Sequence, residues 1–84
     1  MNDQERISLH DALIEANRAL IDATELNLTG RKSLSDRVIN HCLTAYGDLL
    51  HCQGTIPLSP DESASVQKVL DRLSEQLKFN GINV

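Results

Sequence analysis

Twelve acidic and eight basic side chains in 84 residues leave a formal charge of −4, and 40% of the chain is hydrophobic. That length accommodates one helical domain over residues 1–84 with a modest core, and the acidic balance argues against general binding to nucleic acid or docking on anionic membranes, which needs a basic surface. With one Phe, one Tyr and no Trp, the core must be aliphatic, which suits packed helices better than strands.

The N-terminal stretch MNDQERISLHD is polar and acidic, unlike a signal peptide. No apolar run approaches the roughly 18 residues that cross a bilayer. The chain therefore reads as soluble and cytoplasmic, where Cys42 and Cys52 stay reduced. The sequon Asn27-Leu-Thr29 carries no weight in that setting.

A first helix is expected over about residues 4–28. Asn2 or Asp3 can cap it with Glu5 in the first turn, and Ser8 with Asp11 is a second start signal. Ile7, Ile14, Ile21 and Leu28 recur every seven residues, as do Leu9, Ala16 and Ala23; Leu13 and Leu20; and Ala12, Ala19 and Leu26. Together these columns cover more than half of the helix circumference, leaving the rest to Asp11, Glu15, Arg18, Asp22 and Glu25. An arc this wide implies two helical neighbours, or one neighbour and a partner chain. A neutral polar column, His10, Asn17 and Thr24, runs within the arc as a half-wet boundary or a register-setting seam. Gly30 is placed to end the helix.

A second helix is expected over about 34–53, opened by the capping-box pattern Ser33-Leu-Ser-Asp36, with Ser35 as a competing cap. Val38, Cys42, Ala45, Leu49 and Cys52 form its inward stripe, flanked by Ile39, Leu43, Tyr46 and Leu50. Arg37, Asn40, His41, Thr44, Gly47, Asp48 and His51 fall on the opposite side, facing water. Gly47 costs about 1 kcal/mol of helix propensity relative to Ala, but the apolar register runs straight through it. Gly54 is expected to stop the helix, with Pro57 close behind.

The third helix, about 60–80, has the clearest start: Ser59-Pro-Asp-Glu62 combines a capping serine, a first-turn proline and two acids at the positive end of the helix dipole. Val66, Val69, Leu70, Leu73 and Leu77 make its narrow apolar stripe. Asn80-Gly81 ends it, with Ile82 placed against Leu77 in a Schellman cap. Both connections are short enough to force antiparallel neighbours. The expected fold is all-α, an antiparallel up-down-up three-helix bundle.

Several chemistries can be weighed on geometry. The pairs His41-Cys42 and His51-Cys52 look like a metal or redox site in one dimension. Residues ten apart on a helix are separated by about 15 Å, beyond the roughly 7 Å that a disulfide allows and beyond convergence on one zinc. The cysteines fall on the apolar stripe as small hydrophobes. Asp48 and His51, with Thr44 a turn earlier, could offer two metal ligands or a carboxylate-oriented base, but nothing in the sequence supplies the further ligands or a nucleophile. His51-Cys-Gln-Gly54 lacks the cation of a phosphorelay histidine. Gly30-Arg-Lys-Ser33 departs from a phosphate loop because Arg31 intervenes and no strand precedes it.

What remains is interaction. Arg31, Lys32 and Arg37 form the only basic cluster, able to meet an anion or an acidic partner at the start of the second helix. Ile7, Ile14 and Ile21 form a candidate self-association face, because the first helix carries more apolar surface than two short neighbours need. The expected function is a non-catalytic protein-interaction or regulatory module without cofactor or metal, its partner another protein or a second copy of itself. The alternative is a nucleic-acid-binding helical domain using the hinge cations and the second helix. Steeply crossing short helices, which that motif requires, are not what the sequence pattern describes.

Overall fold

The computed structural model describes residues 2–28 and 36–83, with side chains described over 2–25 and 36–83. It contains three helices: α1 (Asp3–Leu28), α2 (Asp36–Thr55) and α3 (Pro60–Phe79). There is no strand among the described residues. All three helix pairs are in contact, most extensively α1 with α2. The connectivity is up-down-up. Ser8 of α1 lies beside His51 and Cys52 of α2, Glu15 beside His41, and Arg6 beside Glu62 at the start of α3.

Local chemistry sets the helix ends. Asn2 opens α1 with a reciprocal box: the Glu5 amide donates to Asn2 Oδ1 at 2.8 Å, and the Asn2 amide donates to Glu5 Oε1 at 3.1 Å. The second start signal, Ser8 with Asp11, lies inside the helix and is unused. Ser59 and Glu62 make the same box at α3, at 3.2 and 3.0 Å, with Pro60 in the first turn. Two freed amides thereby gain partners at each start. The hydrogen bond from the Ser59 backbone, followed by that from its side chain, holds the Glu62 carboxyl below the usual range. At its far end, α3 closes in the Schellman pattern. The Ile82 amide donates to the Leu77 carbonyl at 2.9 Å, and the Gly81 amide to that of Lys78 at 3.0 Å. Gly81 has φ +83°, which a glycine adopts at least cost.

The end of α2 differs from expectation. The helix passes through Gly54 to Thr55, and the Ile56 amide still donates to the Cys52 carbonyl at 2.9 Å. Gly54 has no left-handed backbone conformation. The stop comes from Pro57, which has no amide hydrogen and disfavours helix at the residue before it. The expected caps Ser33 and Ser35, and the expected stop Gly30, lie outside the described residues.

The core is wholly apolar. It contains Leu9, Ala12, Ala16, Ala19 and Ala23 from α1, Val38, Cys42, Ala45, Leu49 and Cys52 from α2, Ile56 from the connection, and Val66, Leu70, Leu73 and Leu77 from α3. No polar or charged residue is buried among the described residues. Thus α2 buries the stripe expected of it and α3 all of its stripe but Val69, which is partly buried against the core, whereas α1 turns one leucine and four alanines inward. Its three isoleucines point away.

Gly47 sits within an unbroken α2, and a methyl group added there would meet nothing within 4 Å. Gly47→Ala should therefore raise unfolding stability by about 0.5–1 kcal/mol in urea denaturation. A loss of stability would mean that α2 bends at this glycine.

Candidate functional site

The outer face of α1 is the chief candidate. At about 100° per residue, Ile7, Ile14 and Ile21 centre about 180° around the helix from the buried alanines. They are 55%, 36% and 57% exposed. Leu13 and Leu20, between the two faces, are partly buried against the core. The column His10, Asn17 and Thr24 is also exposed, so it runs beside the isoleucine stripe. Asn17 and Thr24 turn back on their own helix: Asn17 Nδ2 donates to the Leu13 carbonyl at 3.0 Å and Thr24 Oγ1 to that of Leu20 at 2.8 Å. These bonds partly satisfy the two polar groups without another helix, which lowers the cost of covering them.

Of the basic cluster, Arg31 and Lys32 lie outside the described residues. Arg37 is exposed near the start of α2, and by itself it makes no assembled cationic site. Among the described residues, the other large exposed apolar groups, Leu50 on α2 and Phe79 at the end of α3, are 43% and 76% exposed. Neither belongs to a repeat.

The His-Cys pairs separate as the helix geometry requires, with one correction. Cys42 and Cys52 are buried free thiols on the inner stripe of one continuous helix. Cys42 Sγ lies 3.9 Å from the Ala19 carbonyl oxygen of α1. Burial pushes both thiols above their ordinary pKa, with a smaller contribution from Asp22 at Cys42 and from Asp48 at Cys52. This disfavours the thiolate needed for nucleophilic or redox work. His51 is exposed. His41 does not face open water: its side chain is 29% exposed and lies between two carboxylates of α1. Nε2 is 3.0 Å from Glu15 Oε2, and Nδ1 is 3.6 Å from Asp22 Oδ2. The imidazole therefore fastens one edge of the α1–α2 seam.

Asp48 and His51 line a shallow groove with Ser8, Asp11, Ala12, Glu15 and Cys52. The groove is open and contains no buried polar group to preorganise a reaction. Among the described residues, no three His, Cys, Asp or Glu side chains are placed to hold a metal ion. No helix among them is long and apolar enough to cross a membrane.

The raised thiols have a thermodynamic consequence. Unfolded cysteines ionise at lower pH than these folded ones, so the contribution is complete below the ordinary thiol value and lost as pH rises through the folded values. Urea midpoints should fall between about pH 8 and about pH 10, and fall less steeply in C42A/C52A. An identical slope in the two proteins would remove the thiols from the explanation. Comparison of the chain with protein-family models, curated proteins and solved structures finds no match.

Proposed function

We propose that this protein is a helical protein-interaction module without catalytic activity, and that it docks through the outer face of α1. The observation that carries this reading is the placement of Ile7, Ile14 and Ile21. Three large aliphatic side chains stand exposed on the longest helix, seven residues apart, while four alanines of the same helix fill the core. Single exposed apolar groups are ordinary, but an aligned row adds up to a patch that binding can use.

The remaining surface supports the same reading. The thiols are buried and biased toward the neutral form, the groove beside His51 is open, and the core contains no buried polar network. A small bundle of this kind can act by occupying or presenting a surface, with the specificity set by which residues border its apolar row.

The test separates binding from folding. Exchanging Ile7, Ile14 and Ile21 together for Ser should change unfolding stability by no more than about 1 kcal/mol, because exposed positions contribute little to the fold. The same exchange should abolish association with the protein's partner in its native host, measured by crosslinking and mass spectrometry beside wild type. Undiminished partner recovery with the triple variant would overturn the reading. So would a loss of stability on the scale of core truncation.

A further inference from the structure

The order of charges beside the isoleucine row contains information about its occupant. Asp11, Arg18 and Glu25 recur seven residues apart along one flank of Ile7, Ile14 and Ile21, giving the series minus, plus, minus. All three are exposed. The opposite flank, Asp3, His10, Asn17 and Thr24, carries a single acid at the very start of the helix and no Lys or Arg. From these two flanks we infer that the occupant of the row is a second copy of this chain, laid antiparallel along α1. This rests on the proposed interaction reading and specifies its partner.

The geometry discriminates between the two ways of pairing identical helices. When two helices face each other in parallel, each flank meets the opposite flank of its mate, as positions g and e do in a parallel coiled coil. The charged series would then lie against His10, Asn17 and Thr24 and gain nothing. In an antiparallel pair the same flanks meet. A two-fold axis level with Ile14 places Ile14 against Ile14 of the second copy, and Ile7 against its Ile21. Asp11 then falls beside Arg18 of the mate, and Arg18 beside its Asp11. A two-fold axis duplicates each contact, so one favourable ion pair becomes two. Glu25 falls level with Asp3 and beside Gln4 of the mate, so the ends of the pair gain no ion pair and the favourable contacts are the two between Asp11 and Arg18.

The surroundings leave these groups available. Among the described residues Arg18 pairs only with Glu15, at 3.4 Å, and its side chain is 68% exposed. Glu15 lies about 100° around the helix from Ile14, on the side toward α2, where it contacts His41 at 3.0 Å. The length also fits. At about 1.5 Å per residue α1 is about 39 Å long, close to the 42 Å long dimension of the molecule. The mate therefore lies along the whole bundle.

The area fixes the strength expected. A strip about 39 Å long and about 10 Å wide is about 400 Å² on each copy, roughly half the standard interface of about 800 Å² per partner. The dimer is accordingly weak and in exchange with monomer, its population set by protein concentration.

Sedimentation equilibrium of the full chain from low micromolar to near-millimolar concentration tests the inference. Wild type should pass from monomer to dimer over that range. D11R brings two arginines together at each of these contacts, and R18D brings two aspartates together. Each variant alone should therefore weaken dimerisation by about tenfold at low salt. An equimolar mixture of D11R and R18D should recover wild-type association, because the heterodimer regains both ion pairs. Circular dichroism confirms that each variant is folded, and D11N with R18Q replaces any variant that is not. If I14E abolishes the dimer while D11R and R18D leave it unchanged, the row self-associates in another orientation and the antiparallel arrangement is overturned. If wild type stays monomeric throughout, the second copy is overturned as occupant. The interaction reading then stands or falls separately, on partner recovery with the triple isoleucine variant.

Discussion

The close approach of α1 to α2 is the constraint on which the rest depends. Ala12, Ala16, Ala19 and Ala23 put little more than a methyl group each into the seam, and Cys42 of α2 comes within 3.9 Å of an α1 backbone carbonyl. Small residues let helix backbones pack toward the short end of the usual range, about 8 Å between axes. An isoleucine turned into that space would meet backbone, and overpacking typically costs about 1–3 kcal/mol. The volumes therefore decide which side of α1 points inward. Once the alanines are inside, the isoleucines must be outside.

That one rotation links the fold to the proposed function. A helix with apolar residues over more than half its circumference can bury only part of them against two short neighbours. The larger side chains are left in water, where covering them is favourable at about 25 cal/mol per Å² before the costs of association. The same seam brings Glu15 and Asp22 to the two sides of His41, fastening the helices at their rim with polar groups while the buried residues between them are apolar. No polar or charged residue is buried in that core among the described residues. In the proposed reading the protein works through its surface, and the charged flank beside the isoleucines orders the mate.

The start of α1 and both ends of α3 were legible because capping is local chemistry. Asn2 with Glu5, Ser59 with Glu62, and Gly81 before Ile82 each form their contacts within a few residues. The inner stripes of α2 and α3 were legible because each helix has one narrow apolar face. The orientation of α1 was legible only in part: Ile7, Ile14 and Ile21 could be named as the surplus face and are exposed, but the apolar columns all repeat at seven, so periodicity alone has no single direction to report. Volume in the assembled seam chose the alanines. His41 escaped for a related reason. Its place on the wheel of α2 says which flank it occupies, but its partners Glu15 and Asp22 belong to another helix. At Gly54 the glycine was the expected stop, yet a glycine in helical conformation does not end a helix, whereas Pro57 removes the donor outright.

The most direct measurement is methyl NMR of the dilute, monomeric protein in the presence of a soluble paramagnetic agent that relaxes solvent-exposed groups. The alanine-in, isoleucine-out arrangement requires strong relaxation of the Ile7, Ile14 and Ile21 methyls. It also requires protection of those of Ala12, Ala16, Ala19 and Ala23. Protected isoleucines with relaxed alanines would mean that α1 is turned half a rotation from the orientation described, and would contradict both the packing and the docking face built on it.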